Sequence, residues 1–133
     1  MEFESCRIDP SGARIMGTIP CGPGELPLDE GVWTPLEEEL SRHPEATRFL
    51  KTKGTSMVGY GILPGDIIVY DELLEPRADD LVVVFIRAEG YMVKSFQPPY
   101  LIGNNGRSRK KITRRTETTI IGVVTAVINI KRR

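Results

Sequence analysis

From residue 47 to the end of the chain, the apolar residues come in short runs that glycine, proline and charged residues separate. Short β-branched runs bounded by such turn residues are typical of strands. The predicted strands are Thr47 to Lys53, Asp66 to Tyr70, Leu81 to Arg87, Tyr91 to Phe96 and Thr119 to Ile130. This pattern predicts a small, mainly β domain, with the strands in a sheet or a partial barrel.

Three of these strands have features that also predict how they are connected or shaped. Leu81 to Arg87 and Tyr91 to Phe96 are separated only by Ala88-Glu89-Gly90, and this spacing predicts a β-hairpin. Gly122 interrupts the last strand, and a glycine inside a strand favours a bend.

The residues before position 47 follow a different pattern. Glycine and proline recur throughout residues 1–34, which we interpret as a flexible arm with one short extended piece around Arg14 to Ile19. Thr34 as N-cap and Pro35 at the first helical position then predict a helix of about two turns, which ends at His43-Pro44. The expected organisation is therefore an arm over residues 1–34 and a folded domain over residues 35–133.

Composition excludes several classes of protein. The chain has 133 residues, of which 40% are apolar and 27% charged, as in one soluble globular domain. No apolar run is long enough to cross a bilayer and no secretion signal is visible, so a cytosolic protein without a membrane partner is expected. Cys6 and Cys21 are then reduced thiols. One histidine and no Cys-x-x-Cys pair argue against a metal site, and no cofactor is predicted.

The zero net charge hides a strong asymmetry. The net charge is −6 over residues 1–50, −2 over residues 51–100 and +8 over residues 101–133. Much of the positive charge lies in residues 107–115, Arg-Ser-Arg-Lys-Lys-Ile-Thr-Arg-Arg. This stretch is interpreted either as a solvated turn or as a binding surface for DNA phosphates or an acidic partner.

Ser56 is a candidate nucleophile. It lies in the glycine-flanked segment Lys53-Gly54-Thr55-Ser56-Met57, which Gly61-Ile62-Leu63-Pro64-Gly65-Asp66 follows before the next strand. A bend of this kind exposes the serine oxygen and directs nearby backbone N–H groups to one point. The alternative is a loop serine that only stabilises the turn.

Lys94 is a candidate general base. Strand alternation places Met92, Lys94 and Phe96 on one face, so the lysine either extends to water or is held in a dry site. Burial disfavours the charged ammonium, and a neutral lysine can accept the proton of a serine hydroxyl. The alternative is an ordinary lysine on an edge strand.

A third segment makes the pattern specific. Pro20-Cys21-Gly22-Pro23 lies in the arm, with Cys21 35 residues before Ser56, and Lys94 follows Ser56 by 38 residues. With Ile121-Gly122-Val123-Val124, these segments resemble the LexA/UmuD family of self-cleaving serine–lysine peptidases (peptidase S24) over residues 18–130. The resemblance implies a β-rich domain like that of signal peptidases. It also implies cleavage between Cys21 and Gly22, with Ser56 as nucleophile, Lys94 as general base and the Met57 backbone at the oxyanion.

Within the family, the chain is most similar to the UmuD type. The signals are Leu40 to Thr47 before the first core strand, and cysteine rather than alanine before the scissile glycine. The resemblance implies a homodimer whose cleavage is stimulated by the RecA–single-stranded-DNA filament. It further implies that the trimmed form joins a UmuC-like Y-family polymerase in error-prone translesion synthesis during the SOS response.

Three alternatives remain open at this point. A LexA-like or phage-type repressor shares the peptidase core, but the 20 residues before Cys21 are too few for a helix-turn-helix domain. A signal-peptidase-like enzyme needs a membrane-facing segment. A non-catalytic β-barrel interaction module needs no contact between Ser56 and Lys94.

Overall fold

A computed structural model gives the fold and describes residues 14–15, 21–23, 34–113 and 117–132. The chain divides into two compact units, one ending at Pro44 and one beginning at Glu45. Most of the arm predicted over residues 1–34 lies outside the described residues, so its flexibility stays a prediction. The boundary predicted between residues 34 and 35 also stays a prediction.

In the first unit, two short strands precede one short helix. β1 (Arg14–Ile15) pairs antiparallel with β2 (Thr34–Pro35), and α1 covers Leu36–Leu40. The extended piece expected around Arg14 to Ile19 is described only at its first two residues. The predicted Thr34 cap is wrong, because Thr34 pairs with Ile15 and Pro35 occupies the cap position with no side-chain hydrogen bond.

The helix α1 is shorter than predicted. It was expected to continue to His43-Pro44, but Ser41 already has an extended backbone, with φ −161° and ψ 150°. The Ser41 hydroxyl accepts a hydrogen bond of 3.2 Å from the His43 N–H. A serine that bonds the backbone in this way competes with the helical pattern, which explains the early end.

The second unit is a single antiparallel sheet, and its mainly β character confirms the predicted fold class. Its strands are β3 (Thr47–Lys51), β4 (Ile67–Asp71), β5 (Leu81–Ile86), β6 (Gly90–Gln97), β7 (Tyr100–Gly103), β8 (Ser108–Lys111) and β9 (Thr118–Ile128). Their order across the sheet is β3-β4-β9-β5-β6-β7-β8. The predicted hairpin of β5 and β6 is confirmed. The sheet is open, with β3 and β8 as its edges.

The strand β9 lies at the centre of the sheet and is irregular at two points. The pairing of β9 with β4 skips Thr125, whose hydroxyl donates to the Val69 carbonyl (3.3 Å), and the pairing of β9 with β5 skips Ile121. Each is a β-bulge, which bends a strand and increases its twist. Between the bulges, a Cβ on Gly122 would lie 2.7 Å from the Tyr70 ring, so this close approach requires glycine. The bend predicted at Gly122 is thus confirmed.

Buried apolar side chains form two clusters, and β5 contributes to both. Val83 belongs to the first cluster, whereas Val82 and Val84 belong to the second. Because successive residues of a strand point to opposite faces, β5 is covered on both faces, which explains its uninterrupted apolar run. The first cluster also contains Met57 and Ile62 from the loop between β3 and β4, so this loop is packed against the sheet.

None of the helices in the described residues has the length and apolar character that crossing a membrane requires.

Candidate active site

Ser56 is exposed on the loop that joins β3 to β4. Its neighbour Met57 is buried in the first apolar cluster and anchors the loop. The Met57 carbonyl accepts hydrogen bonds from the N–H groups of Tyr60 (2.9 Å) and Ile62 (3.2 Å), and the Thr55 carbonyl accepts one from Val58 (3.2 Å). The loop therefore turns tightly just after the serine and presents the Ser56 side chain outward.

The far end of this loop is fixed by Asp66, the last residue of the Gly61 to Asp66 segment. Its carboxylate accepts hydrogen bonds from the Asn129 side-chain amide (2.6 Å) and from the Leu63 N–H (2.9 Å). These two hydrogen bonds hold the pKa of Asp66 below its ordinary value. Thr52 closes the loop, since its N–H and its hydroxyl both donate to the Asp66 carbonyl. Asp66 is thus a structural residue of the loop.

The serine loop is also held by Asn105, which lies in the turn between β7 and β8. The Asn105 N–H donates to the Ser56 carbonyl at 2.6 Å. Its side chain accepts from the Gly59 N–H at 2.6 Å and donates to the Thr55 carbonyl at 3.1 Å. Asn105 has a positive φ of 56°, a conformation that asparagine tolerates better than most residues. Three hydrogen bonds from one residue therefore hold the serine loop against the β7–β8 turn.

A role for Asn105 was not predicted from the sequence. Asn104-Asn105-Gly106 does predict a turn, but it does not show which residues the turn contacts. The partners of the Asn105 side chain lie 46 and 50 residues away along the chain, so only the folded structure shows what the turn contacts.

Lys94 lies within β6, directly opposite Val82 of β5. Its neighbours Met92 and Phe96 pack against the second apolar cluster, which confirms that they share a face. The lysine itself is half-buried. A Cβ on Gly103 would lie 2.9 Å from Lys94 Cδ and would also overlap Nζ. The space that the lysine occupies therefore depends on the absence of a side chain at position 103.

Ser56 and Lys94 border one cavity of about 390 Å³. The other residues that border it are Leu50, Lys51, Thr52, Lys53, Gly54, Met57, Ile62, Ile68, Val83, Tyr91, Met92 and Val93. Among the described residues, no hydrogen bond joins Ser56 Oγ to Lys94 Nζ. Catalytic hydrogen bonds are often long in the absence of substrate and shorten when it binds.

The walls of the cavity come from distant parts of the sheet. One wall is the end of β3 with the serine loop, and the other is β6, although β4, β9 and β5 lie between them in the sheet. The serine loop packs onto the sheet and brings the two walls together, since its Met57 and Ile62 share an apolar cluster with Val83 of β5. Leu50 and Tyr91 are exposed apolar side chains on opposite walls, and exposed Lys51 and Lys53 also border the cavity.

The predicted cleavage site belongs to the first unit. Cys21 and Gly22 are exposed, and Cys21 is a free thiol. A Cβ on Gly22 would meet no heavy atom within 4 Å, so packing in this conformation does not require glycine there. Within the described ranges, no group of three or more His, Cys, Asp and Glu side chains is arranged to hold a metal ion.

Comparison with known proteins identifies relatives of the whole chain. A model of the Peptidase S24-like family matches residues 14–125. The LexA repressor of Leptospira biflexa is 30% identical over 131 residues, which cover 96% of this chain and 63% of that protein. The LexA repressor of Carboxydothermus hydrogenoformans is 30% identical over 124 residues, which cover 86% of this chain and 58% of that protein. The chain thus spans about three fifths of the length of these relatives.

Proposed function

Since this chain belongs to the Peptidase S24-like family, we propose that it is a serine peptidase that cuts its own polypeptide between Cys21 and Gly22. The observation that carries the proposal is that Ser56 and Lys94 border the same cavity. A serine with a lysine as its base is a known alternative to the serine–histidine pair. The cavity volume of about 390 Å³ lies within the range of about 300–1,000 Å³ that is typical of ligand sites.

In the proposed reaction, neutral Lys94 takes the hydroxyl proton of Ser56, and Ser56 Oγ attacks the carbonyl carbon of Cys21. The resulting oxyanion accepts hydrogen bonds from backbone N–H groups at Ser56 and Met57. The hydrogen bonds that close the loop use the N–H groups of Val58, Tyr60 and Ile62, and not those two.

The first step ends when the C–N bond breaks. Lys94 gives its proton to the departing nitrogen, which becomes the new N-terminus at Gly22, while the Cys21 acyl group stays on Ser56. Water then attacks the ester with Lys94 as the base, which releases the Cys21 carboxylate and restores the serine. Because substrate and site belong to one chain or to two copies of it in one dimer, tethering reduces the entropic cost of bringing them together.

The finer function that we propose is that of a UmuD-type protein. The trimmed homodimer joins a UmuC-like Y-family polymerase for translesion synthesis, and the RecA–single-stranded-DNA filament stimulates the cut. Cys21-Gly22 and the Leu40 to Thr47 segment support this choice by resemblance. In a pull-down with such a polymerase, we expect the cut protein to be retained more strongly than an uncut Ser56→Ala variant. Equal retention of both forms contradicts the UmuD-type function.

A second candidate function is that of a repressor peptidase core. The observation in its favour is that the two relatives described above are both named LexA repressor, and that the chain spans only part of each. Such a core performs the same self-cleavage. Its cut separates a DNA-binding part from the peptidase, and it predicts no affinity for a polymerase.

Intact mass spectrometry tests the peptidase itself. The purified protein is incubated at about pH 10, near the ordinary pKa of lysine, where more lysine is neutral. We expect a new fragment that starts at Gly22, and a faster cut when RecA filament is added at neutral pH. Ser56→Ala and Lys94→Ala are expected to remain intact, and Lys131→Ala serves as the matched lysine control. The same fragment from the Ser56→Ala protein rules the proposal out.

A further inference from the structure

The β7–β8 hairpin carries a concentration of positive charge that the peptidase reaction does not use. Residues 107–115 contain six basic side chains and no acidic one, whereas residues 1–100 carry a net charge of −8. β8 is the last strand of the sheet, so nothing in the sheet covers its outer edge. The structure describes residues 107–113 of this stretch.

Strand alternation separates these cations onto two faces. Lys110 lies opposite buried Leu101, and its amine forms an ion pair with Glu89 at 2.5 Å. Arg109 and Lys111 point to the other face, since their partners are Ile102 and Tyr100. Lys110 is therefore neutralised within the protein, and its two neighbours are not.

The second face combines cations with an aromatic ring. The Arg109 guanidinium lies 4.4 Å from the centroid of the Tyr100 ring, a cation–π contact that holds the guanidinium plane in place. Arg109 and Lys111 are exposed, as is Arg107 just before the strand, and none of the three has an ion pair among the described residues. We call Tyr100, Arg109 and Lys111, together with Arg107 of the adjoining turn (φ −87°, ψ −17°), the basic face.

We propose that the basic face binds single-stranded nucleic acid. Exposed cations at alternate positions of an extended strand lie about 7 Å apart and suit a phosphate backbone that runs along the hairpin. A guanidinium supported by a ring offers its free side to an unpaired base, as well as planar donors to phosphate. An acidic peptide uses only the charge of such a surface, and the bases of a duplex are already stacked. The observations therefore favour a single strand.

Fluorescence anisotropy with a labelled oligo(dT) of about 20 nucleotides tests this on the full chain. Three phosphate contacts predict that affinity falls roughly 20-fold between about 50 mM and about 200 mM salt. We expect Arg109→Gln/Lys111→Gln to weaken binding at low salt by roughly tenfold or more and to flatten the salt dependence. Lys131→Gln/Arg132→Gln removes the same charge elsewhere and is expected to bind like the unchanged protein.

Comparisons within the hairpin make the test sharper. Lys111→Gln is expected to weaken binding more than Lys110→Gln, because Lys110 is already paired with Glu89. If both double variants lose the same affinity for the oligonucleotide, net charge alone attracts it, and the proposal is overturned. No measurable binding of the oligonucleotide overturns it too. Equal competition by poly-glutamate at matched charge indicates an acidic protein partner instead, and tighter binding of a duplex indicates recognition of phosphates without bases.

Discussion

Ser56 and Lys94 border the same cavity, yet different kinds of structure hold them in place. Ser56 lies on an irregular loop that hydrogen bonds attach to the β7–β8 turn. Lys94 lies inside a regular strand, where pairing with β5 fixes its position and Gly103 leaves room for its side chain. The placement of the nucleophile is therefore sensitive to the loss of polar contacts, and that of the base to added volume.

The largest effect is expected on the lysine side of this comparison, from Gly103→Ala. Gly103 has an extended backbone, with φ −141° and ψ −166°, which alanine adopts without strain. The added methyl group overlaps the Lys94 amine and displaces it from the cavity. A positioned general base contributes about 10²- to 10⁴-fold, so we expect self-cleavage to slow by roughly 100-fold or more. Fragment formation at about pH 10 measures the rate.

Chemical denaturation provides the control, since overpacking is expected to cost only about 1–3 kcal/mol of folding free energy. If the Gly103→Ala protein is folded and cuts itself at the unchanged rate, the prediction that a side chain at position 103 displaces Lys94 is wrong.

On the serine side, Asn105→Gly removes both side-chain hydrogen bonds and keeps the positive φ accessible. At about 1 kcal/mol for each bond, or about 2 kcal/mol together, the expected slowing of self-cleavage is roughly 30-fold. Asn105→Asp keeps the acceptor for the Gly59 N–H and is expected to recover part of the rate. If Asn105→Gly cuts as fast as the unchanged protein, the loop does not depend on this contact.

The smallest effect on cleavage is expected at the far end of the same loop, from Asp66→Asn, which lowers thermal stability instead. The folded-state pKa of Asp66 is depressed, so its contribution to stability is present above the ordinary carboxyl pKa of about 4. This contribution is lost as the pH falls through the lower folded-state value. The difference in Tm between the two proteins should therefore narrow as the pH falls below about 4, as thermal melts between about pH 7 and about pH 3 will show. Glu75→Gln, an exposed carboxylate of the same unit, is the control, and a difference that does not change with pH contradicts the prediction.

Local patterns predicted the central part of the fold. The β5–β6 hairpin follows from two apolar runs and a three-residue connection, and the bend at Gly122 follows from one glycine in a long run. These features depend on neighbouring residues, which the sequence displays directly. The mainly β class follows from the same signals.

Features that depend on distant partners were not predicted. Ser108–Lys111 has a basic sequence and forms a strand because β7 pairs with it. Thr34 has the sequence of a helix cap, but pairing with Ile15 takes precedence. The roles of Gly103 and Asn105 appear only when β6, β7 and the serine loop come together. The segments of Ser56 and Lys94 were recognisable because, together with Cys21-Gly22, they resemble the motifs of a known peptidase family.

The two bulges of β9 have a mechanical consequence. The strands β4, β9 and β5 connect the two walls of the cavity, and both bulges lie on the middle one. Bulges add twist to this connecting segment. A second connection runs through the Asn105 hydrogen bonds, which join the serine loop directly to the β7–β8 turn that follows Gly103. Nucleophile and base are therefore linked twice, and a change in the twist of the sheet is opposed by the contacts at the turn.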